Sequence, residues 1–283
     1  MKKQNNRINK TIYSIFKKGS KTYYYSTIFF PKRVKRDVFI LYSFLRKADD
    51  YVDQIPQDSE GFYQFRDRYY QALEGEETGD VVADSFVKLA RRKRFENEWV
   101  EAFLESMAMD ITKSTYKDLD ELQTYLYGSS EVVGLFMARI MDLPEESFPA
   151  ARHLGRAMQY INFIRDIAED LELGRTYFPQ NDLEEFNLKS LEEKDAAVNP
   201  DGFRGFVRKQ LKTYQSWQQV AEEGFKYIPY RYLIPIKTAS DMYNWTAQQI
   251  AKDPFVVYQR KVKPSAPKIV SNIFGNSIRL GLN

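Results

Sequence analysis

Apolar residues recur at helical spacing along nearly the whole of this 283-residue chain, which predicts an all-α fold. Two further observations support that class. No segment alternates apolar and polar residues around hairpin turn chemistry. No repeat, low-complexity tract or linker divides the sequence, so one single-domain helical bundle over residues 1–283 is expected.

The first helical pattern covers residues 4–17. Tyr23–Phe30 is rich in β-formers and reads as a short extended piece. Pro31 is suited to a helix start, and in the strong helix after it Val34, Val38, Leu41, Tyr42, Leu45, Ala48 and Val52 share one spacing, which stops by Pro56. Further helices are expected over 60–74, 80–93, 96–111, 118–141, 147–173, 203–227, 231–252 and 267–279. The stretch 73–79, with Gly75 and Gly79, the surroundings of Pro144, and Asn199-Pro200 supply turns between them.

Composition removes several function classes. Hydrophobic residues make up 43% of the chain, enough for a sizeable core. There is no Cys, which excludes disulfides, zinc–thiolate sites and thiol nucleophiles. The single His, His153, leaves no multi-His metal site, and with Ala150 three residues before it the Glu-x-x-His pair of a di-iron bundle is missing. His153 reads as structural. No signal-peptide pattern opens the sequence, and no apolar run approaches the ~20 residues of a membrane span. A cytoplasmic protein is expected. Net charge is +3, but residues 1–36 and 254–283 hold no Asp or Glu. Such basic ends suit diphosphate groups or an anionic membrane surface, and equally suit solvated ends that balance an acidic middle. No nucleic-acid motif accompanies the charge, so no nucleic-acid partner is expected.

Two acidic motifs carry the chemistry. Asp49 and Asp53 stand one helical turn apart, with Asp50 turned about 100° away. More than a hundred residues later, Asn162, Asp166 and Asp170 occupy i, i+4 and i+8 among Ile161, Phe163, Ile164, Ile167 and Leu171. Either motif alone reads as a solvated acidic face paired with Arg46, Lys47 or Arg165. Both together in apolar helices favour a buried site, where unpartnered carboxylates would cost several kcal/mol each. A cation between them resolves the conflict. An all-oxygen donor set suits a small hard ion such as Mg²⁺, which commonly brings a phosphate with it.

The segments around these motifs resemble the squalene/phytoene synthase family. They are Arg46-Lys-Ala-Asp-Asp-Tyr-Val-Asp53, Gln159-Tyr-Ile-Asn-Phe-Ile-Arg-Asp-Ile-Ala-Glu-Asp170 and Gly174-Arg-Thr-Tyr-Phe-Pro179, with Tyr125-Leu-Tyr-Gly-Ser-Ser-Glu-Val-Val-Gly134 and Gly19-Ser-Lys-Thr-Tyr23 as further matches. The family often has His at the place of Gly19 and Phe at that of Tyr23. The resemblance runs from about residue 15 to about residue 263. It implies a helical bundle of isoprenoid synthase type, with a central cavity and the acidic motifs facing each other across its mouth.

The activity so implied is the Mg²⁺-dependent head-to-head joining of two prenyl diphosphates through a cyclopropylcarbinyl diphosphate. By resemblance, Asp49, Asp53, Asn162, Asp166 and Asp170 hold Mg²⁺, with Asp50 and Tyr127 completing the catalytic set. Ser20, Lys21, Thr22, Tyr42, Arg46, Gln159, Arg165, Tyr243 and Arg260 are then the substrate-binding residues. Arg175 and Tyr177 could serve the site, although Arg175 also suits a helix C-terminus. The many Phe and Tyr suit a dry, cation-tolerant cavity and equally suit plain core. Gly134 is expected to allow close helix packing or close approach to substrate.

The segment 175–179 favours a phytoene synthase acting on two geranylgeranyl diphosphates. The alternatives are squalene or dehydrosqualene formation from farnesyl diphosphate, with NADPH needed only for squalene, and a non-catalytic assembly factor of the same fold. An oily product implies peripheral contact with the inner face of the membrane, and the basic N-terminal helix is one candidate for it.

Overall fold

In the computed structural model, which describes residues 10–19, 27 and 30–281, the periodic apolar positions become the buried faces of helices. Helix α1 (Lys10–Gly19) buries Ile12 and Phe16 against α2 (Lys32–Asp53), with Phe16 stacked on Phe39 at 4.1 Å. Pro31 stands just before α2, as its fixed φ favours. Along α2 the residues Val34, Val38, Leu41, Ala48 and Val52 are all buried, and Phe44 stacks on Phe86 at 3.8 Å. That alignment turns Asp49 and Asp53 toward the middle of the molecule.

Helices α3 (Ser59–Glu74), α4 (Val81–Lys93) and α5 (Asn97–Thr112) complete the first half of the core with α7 (Val132–Ile140). Asp58 and Asp80 cap α3 and α4 by accepting backbone N–H groups, which explains the sharp starts there. The second half gathers α6 (Leu119–Leu126), α8 (Phe148–Arg165), α9 (Ile167–Glu172), α10 (Gln180–Glu185), α11 (Glu193–Val198), α12 (Pro200–Glu223), α13 (Tyr230–Lys252) and α14 (Val256–Gln259). Helix α8 runs against both α7 and α12 and so lies between the halves. Helix α15 (Ala266–Gly281) lies on α13.

The all-α expectation holds, with differences that matter at the site. A short parallel pair, β1 (Thr115–Tyr116) and β2 (Thr176–Pro179), was not anticipated. Four residues are too few to show a strand period. The helix expected over 118–141 is interrupted by a wide, π-type turn at Tyr127–Glu131. A Cβ on Gly128 would sit 1.9 Å from the Ala102 carbonyl oxygen, and one on Gly134 would sit 2.0 Å from that of Ala151. The chain therefore passes in backbone contact with α5 and α8, which bears out the close-packing expectation for Gly134. The helix expected over 147–173 breaks at Asp166 (φ −101°, ψ 17°). The helix expected from 203 begins at Pro200 and ends at Glu223. The part of the first helix before residue 10, and most of the extended piece expected over Tyr23–Phe30, lie outside the described residues.

Candidate active site

Six parts of the chain described below converge on a polar cavity of about 950 Å³. Helix α2 contributes Tyr42, Arg46, Asp49 and Asp53, and α8 contributes Gln159, Asn162 and Arg165. Asp166, at the break, and Asp170 on α9 face the α2 acids. Gly174 turns the chain out of α9 at φ +73°, a conformation that favours glycine, and so delivers Arg175, just before β2, and Tyr177, on β2, into the cavity wall. Tyr243 comes from α13, and Lys261 and Lys263 from the segment before α15.

Negative charge in this cavity is only partly balanced. Asp49 is pushed up to about 8, first by burial in the cavity wall and then by Asp53. Its side chain keeps 37% of its surface accessible, but that surface opens onto the cavity. Asp170 is pushed well above the carboxylate range by burial, then by Asp166 and Asp53. Arg46 lies between Asp49 (2.9 Å) and Asp50 (2.6 Å). Arg165 holds Asp166 with two hydrogen bonds, Nε to Oδ1 at 2.7 Å and Nη2 to Oδ2 at 2.5 Å. Successive residues on a regular helix do not face each other, so the break at Asp166 goes with this pairing. Lys261 meets Asp166 at 3.2 Å and also pairs with Glu169. Lys47 pairs with Asp80 instead, at 2.5 Å.

Arg175 is the deepest cation. Its Nη1 donates to Asp53 at 2.8 Å and to the Tyr177 hydroxyl at 3.2 Å, and its Nη2 donates to the Val52 carbonyl at 2.5 Å. Behind it, Asp110 accepts from Tyr125 at 2.7 Å and from Tyr177 at 2.8 Å. Burial pushes Asp110 up to about 6 against the opposing pull of Arg175 and the two tyrosines.

The donor set fits a hard divalent cation. The buried Asn162 Oδ1 has no hydrogen-bond partner, and its residue lines the cavity beside Asp166. An unmade hydrogen bond of that kind is costly unless a ligand completes it. Among the described residues, no three His, Cys, Asp or Glu side chains form a group able to hold a metal by themselves. Mg²⁺ commonly keeps several waters and takes one or two carboxylates together with substrate phosphates.

A second cavity of about 250 Å³ adjoins the first, and Tyr42, Gln159 and Asn162 line both. Its walls are chiefly apolar, including Leu41, Val133, Met137, Leu154, Phe225 and Ile236. The arrangement is a charged mouth leading into an oily interior.

Ten of the residues expected at the site line the polar cavity: Tyr42, Arg46, Asp49, Asp53, Gln159, Asn162, Arg165, Asp166, Asp170 and Tyr243. Asp50 does not line it; 56% of its side chain is exposed, and it reaches the site only through Arg46. Tyr127 lies in the wide turn under the Arg152 guanidinium, 5.2 Å from the ring centre, and lines neither cavity. Arg260 is exposed, and its neighbour Lys261 lines the cavity in its place. Ser20, Lys21 and Thr22 lie outside the described residues. Asp110, Lys261 and Lys263 were missed. Asp110 had a signal, since it continues the buried stripe Phe103–Met107 at helical spacing.

Residues 16–268 match the family model described as squalene/phytoene synthase. The chain is 28% identical over 259 residues to a chloroplastic phytoene synthase of an Oncidium hybrid cultivar, covering 88% of this chain and 62% of that protein. It is 29% identical over 259 residues to chloroplastic phytoene synthase 2 of Solanum lycopersicum, covering 88% of this chain and 83% of the relative. The crystal structure of a dehydrosqualene synthase in complex with a ligand superposes with a TM-score of 0.84 at 22% identity over 96% of each chain, a likeness of fold. With the family model spanning most of its length, this chain belongs to the squalene/phytoene synthase family of prenyltransferases.

Proposed function

We propose that the protein condenses two geranylgeranyl diphosphates head to head to give phytoene, releasing both diphosphates. The observation that carries this reading is the junction of the two cavities at Tyr42, Gln159 and Asn162. A prenyl diphosphate has the same division, a multiply charged head on a long apolar tail.

In this reading Asp49, Asp53, Asn162, Asp166 and Asp170 hold Mg²⁺, which when bound offsets the charge that develops on the leaving diphosphate. Arg46 and Arg165 lie beside the same carboxylates and offer further N–H donors to the phosphate oxygens. Loss of the first diphosphate leaves an allylic cation, which the double bond of the second substrate attacks. A proton is lost as the cyclopropylcarbinyl diphosphate forms. That intermediate loses its own diphosphate and rearranges, and loss of a second proton gives the linear hydrocarbon. The apolar cavity shields the cation from water, which would quench it to an alcohol. Lys261, tied to Asp166, brings positive charge to the rim where free diphosphate would leave.

Incubation with geranylgeranyl or farnesyl diphosphate and Mg²⁺, with and without NADPH, followed by product mass analysis, tests the reading. A C40 hydrocarbon without NADPH is expected. A C30 product alone would replace the substrate by farnesyl diphosphate, and no diphosphate release from either would leave a non-catalytic relative.

A further inference from the structure

Helix α15 has an inner face fixed by α13 and an outer face left exposed among the described residues. Inside, Ile269 and Ile273 are buried with Met242 against Ile234. Asn276 Nδ2 donates to Thr238 Oγ1 at 3.2 Å and to Asp241 Oδ2 at 2.8 Å. Outside, Val270, Phe274 and Ile278 follow at i, i+4 and i+8, and are 39%, 66% and 63% exposed. Tyr230 extends the patch; its hydroxyl donates to the Ser277 carbonyl at 2.9 Å. These four are half of the eight large hydrophobic residues exposed among the described residues. Isolated exposed apolar residues are ordinary, but a row on one helix face marks a contact surface.

Charge identifies the occupant. The segment 254–283 contains no acid, and Arg260, Lys263, Lys268 and Arg279 are all exposed along it. Cations beside an apolar stripe complement a plane of anionic headgroups. The same patch on a second copy would set cations against cations in a two-fold contact. A 16-residue helix is too short to cross a bilayer, and no described helix is long and apolar enough to do so, so α15 is suited to lie in the interface. Helix α1, also basic, lacks this property over its described residues, because Ile12 and Phe16 are spent on the core and Tyr13 packs near Phe39.

We propose that α15 docks the protein on an anionic bilayer, with Phe274 and Ile278 inserted at headgroup depth and Lys268 and Arg279 on the phosphates. Helix α13 presents Ile234, Thr238 and Met242 to α15 and Pro235, Ile236 and Ala239 to the apolar cavity. Docking therefore brings that cavity to within about one helix diameter of lipid. The surface stands independently of the condensation chemistry, and its test needs no substrate.

Co-sedimentation of the full chain with phosphatidylcholine vesicles, with and without phosphatidylglycerol, measures the docking. Binding to the anionic vesicles is expected, and the Phe274→Ser/Ile278→Ser double variant should weaken it roughly tenfold or more. Lys268→Gln/Arg279→Gln should remove the preference for anionic lipid, whereas Lys10→Gln/Lys17→Gln in α1 should leave binding within about twofold. As an independent readout, Phe274→Trp should give emission that shifts to the blue on adding vesicles and is quenched by brominated lipid. Unchanged emission, or binding that survives the double variant, would overturn the proposal. So would sedimentation showing a dimer that Phe274→Ser dissociates without any vesicle binding, because the face would then cover a second copy.

Discussion

Arg175 Nη1 donates to Asp53 Oδ1 across 2.8 Å, tying β2 to the last turn of α2 over a sequence separation of 122 residues. The same guanidinium holds the Val52 carbonyl and the Tyr177 hydroxyl, so one side chain sets how far the first acidic motif stands from the strand beneath it. Lysine has no planar fork and cannot make these contacts together. Arg175→Lys is expected to lower diphosphate release about ten- to a hundredfold through misplacement of Asp53. It should also lower stability by about 1–3 kcal/mol, below the usual figure for a broken buried pair because Asp53 is partly exposed. Turnover and thermal unfolding read the two effects separately, and unchanged turnover would confine Arg175 to a structural role.

Asp49→Asn and Asp166→Asn each replace a carboxyl group that can ionise against a bound cation by a neutral amide of the same shape. Each should reduce diphosphate release by about a hundredfold or more, the scale of losing one group that stabilises developing charge. Helical circular dichroism should not change, because neither residue belongs to the apolar core. Near-normal turnover in either variant would contradict the assignment of that residue to the cation site.

The α2 acids were legible in the sequence because a regular helix converts spacing directly into direction. Val34 through Val52 fix the buried face, and Asp49 and Asp53 follow from it. The second motif was legible in its residues but not in its shape. The break at Asp166 goes with Arg165 folding back onto its neighbour, a pairing that helical spacing does not encode. The wide turn at Tyr127–Glu131 packs at Gly128 against the Ala102 carbonyl of α5 and at the Ser130 carbonyl against Gly155 of α8, both distant in sequence. That displacement, with Arg152 over the ring, leaves Tyr127 outside both cavities. Lys261 entered the cavity in place of Arg260 because α14 ends there in extended backbone, where a shift of one residue reverses the side a residue faces.

Asp110 gives the protein a pH dependence whose sign is fixed. Burial pushes its carboxyl up to about 6, from 3.8 in an unfolded chain. Between those values the folded protein keeps a proton that the unfolded chain has lost, so this contribution is complete below about pH 4 and disappears as pH rises through about 6. Its size is on the order of 2–3 kcal/mol. Asp110→Asn does not titrate there, and it sets an amide N–H against the tyrosine hydroxyls, so it should be less stable overall. The measurement is the difference between the wild-type and variant unfolding curves. Wild type should lose stability relative to the variant from pH 4 to 6 and run parallel above it, and a difference that grows with pH would show that Asp110 is not held in its neutral form.

Asn162 separates what the fold needs from what the site needs. Its buried Oδ1 has no partner, so the amide contributes little to the fold, and alanine is a better helix former at this place in α8. Asn162→Ala should therefore unfold at the same temperature as wild type or slightly higher. Stabilisation by Mg²⁺ with inorganic pyrophosphate should fall in the variant, since a ligand bound only by the folded state raises stability in proportion to its affinity. Diphosphate release should fall about a hundredfold. Thermal shifts with Mg²⁺ alone, pyrophosphate alone and both together distinguish the sources. A variant that is less stable without ligand but still responds fully to Mg²⁺ and pyrophosphate would make Asn162 a residue of the fold and remove it from the cation site.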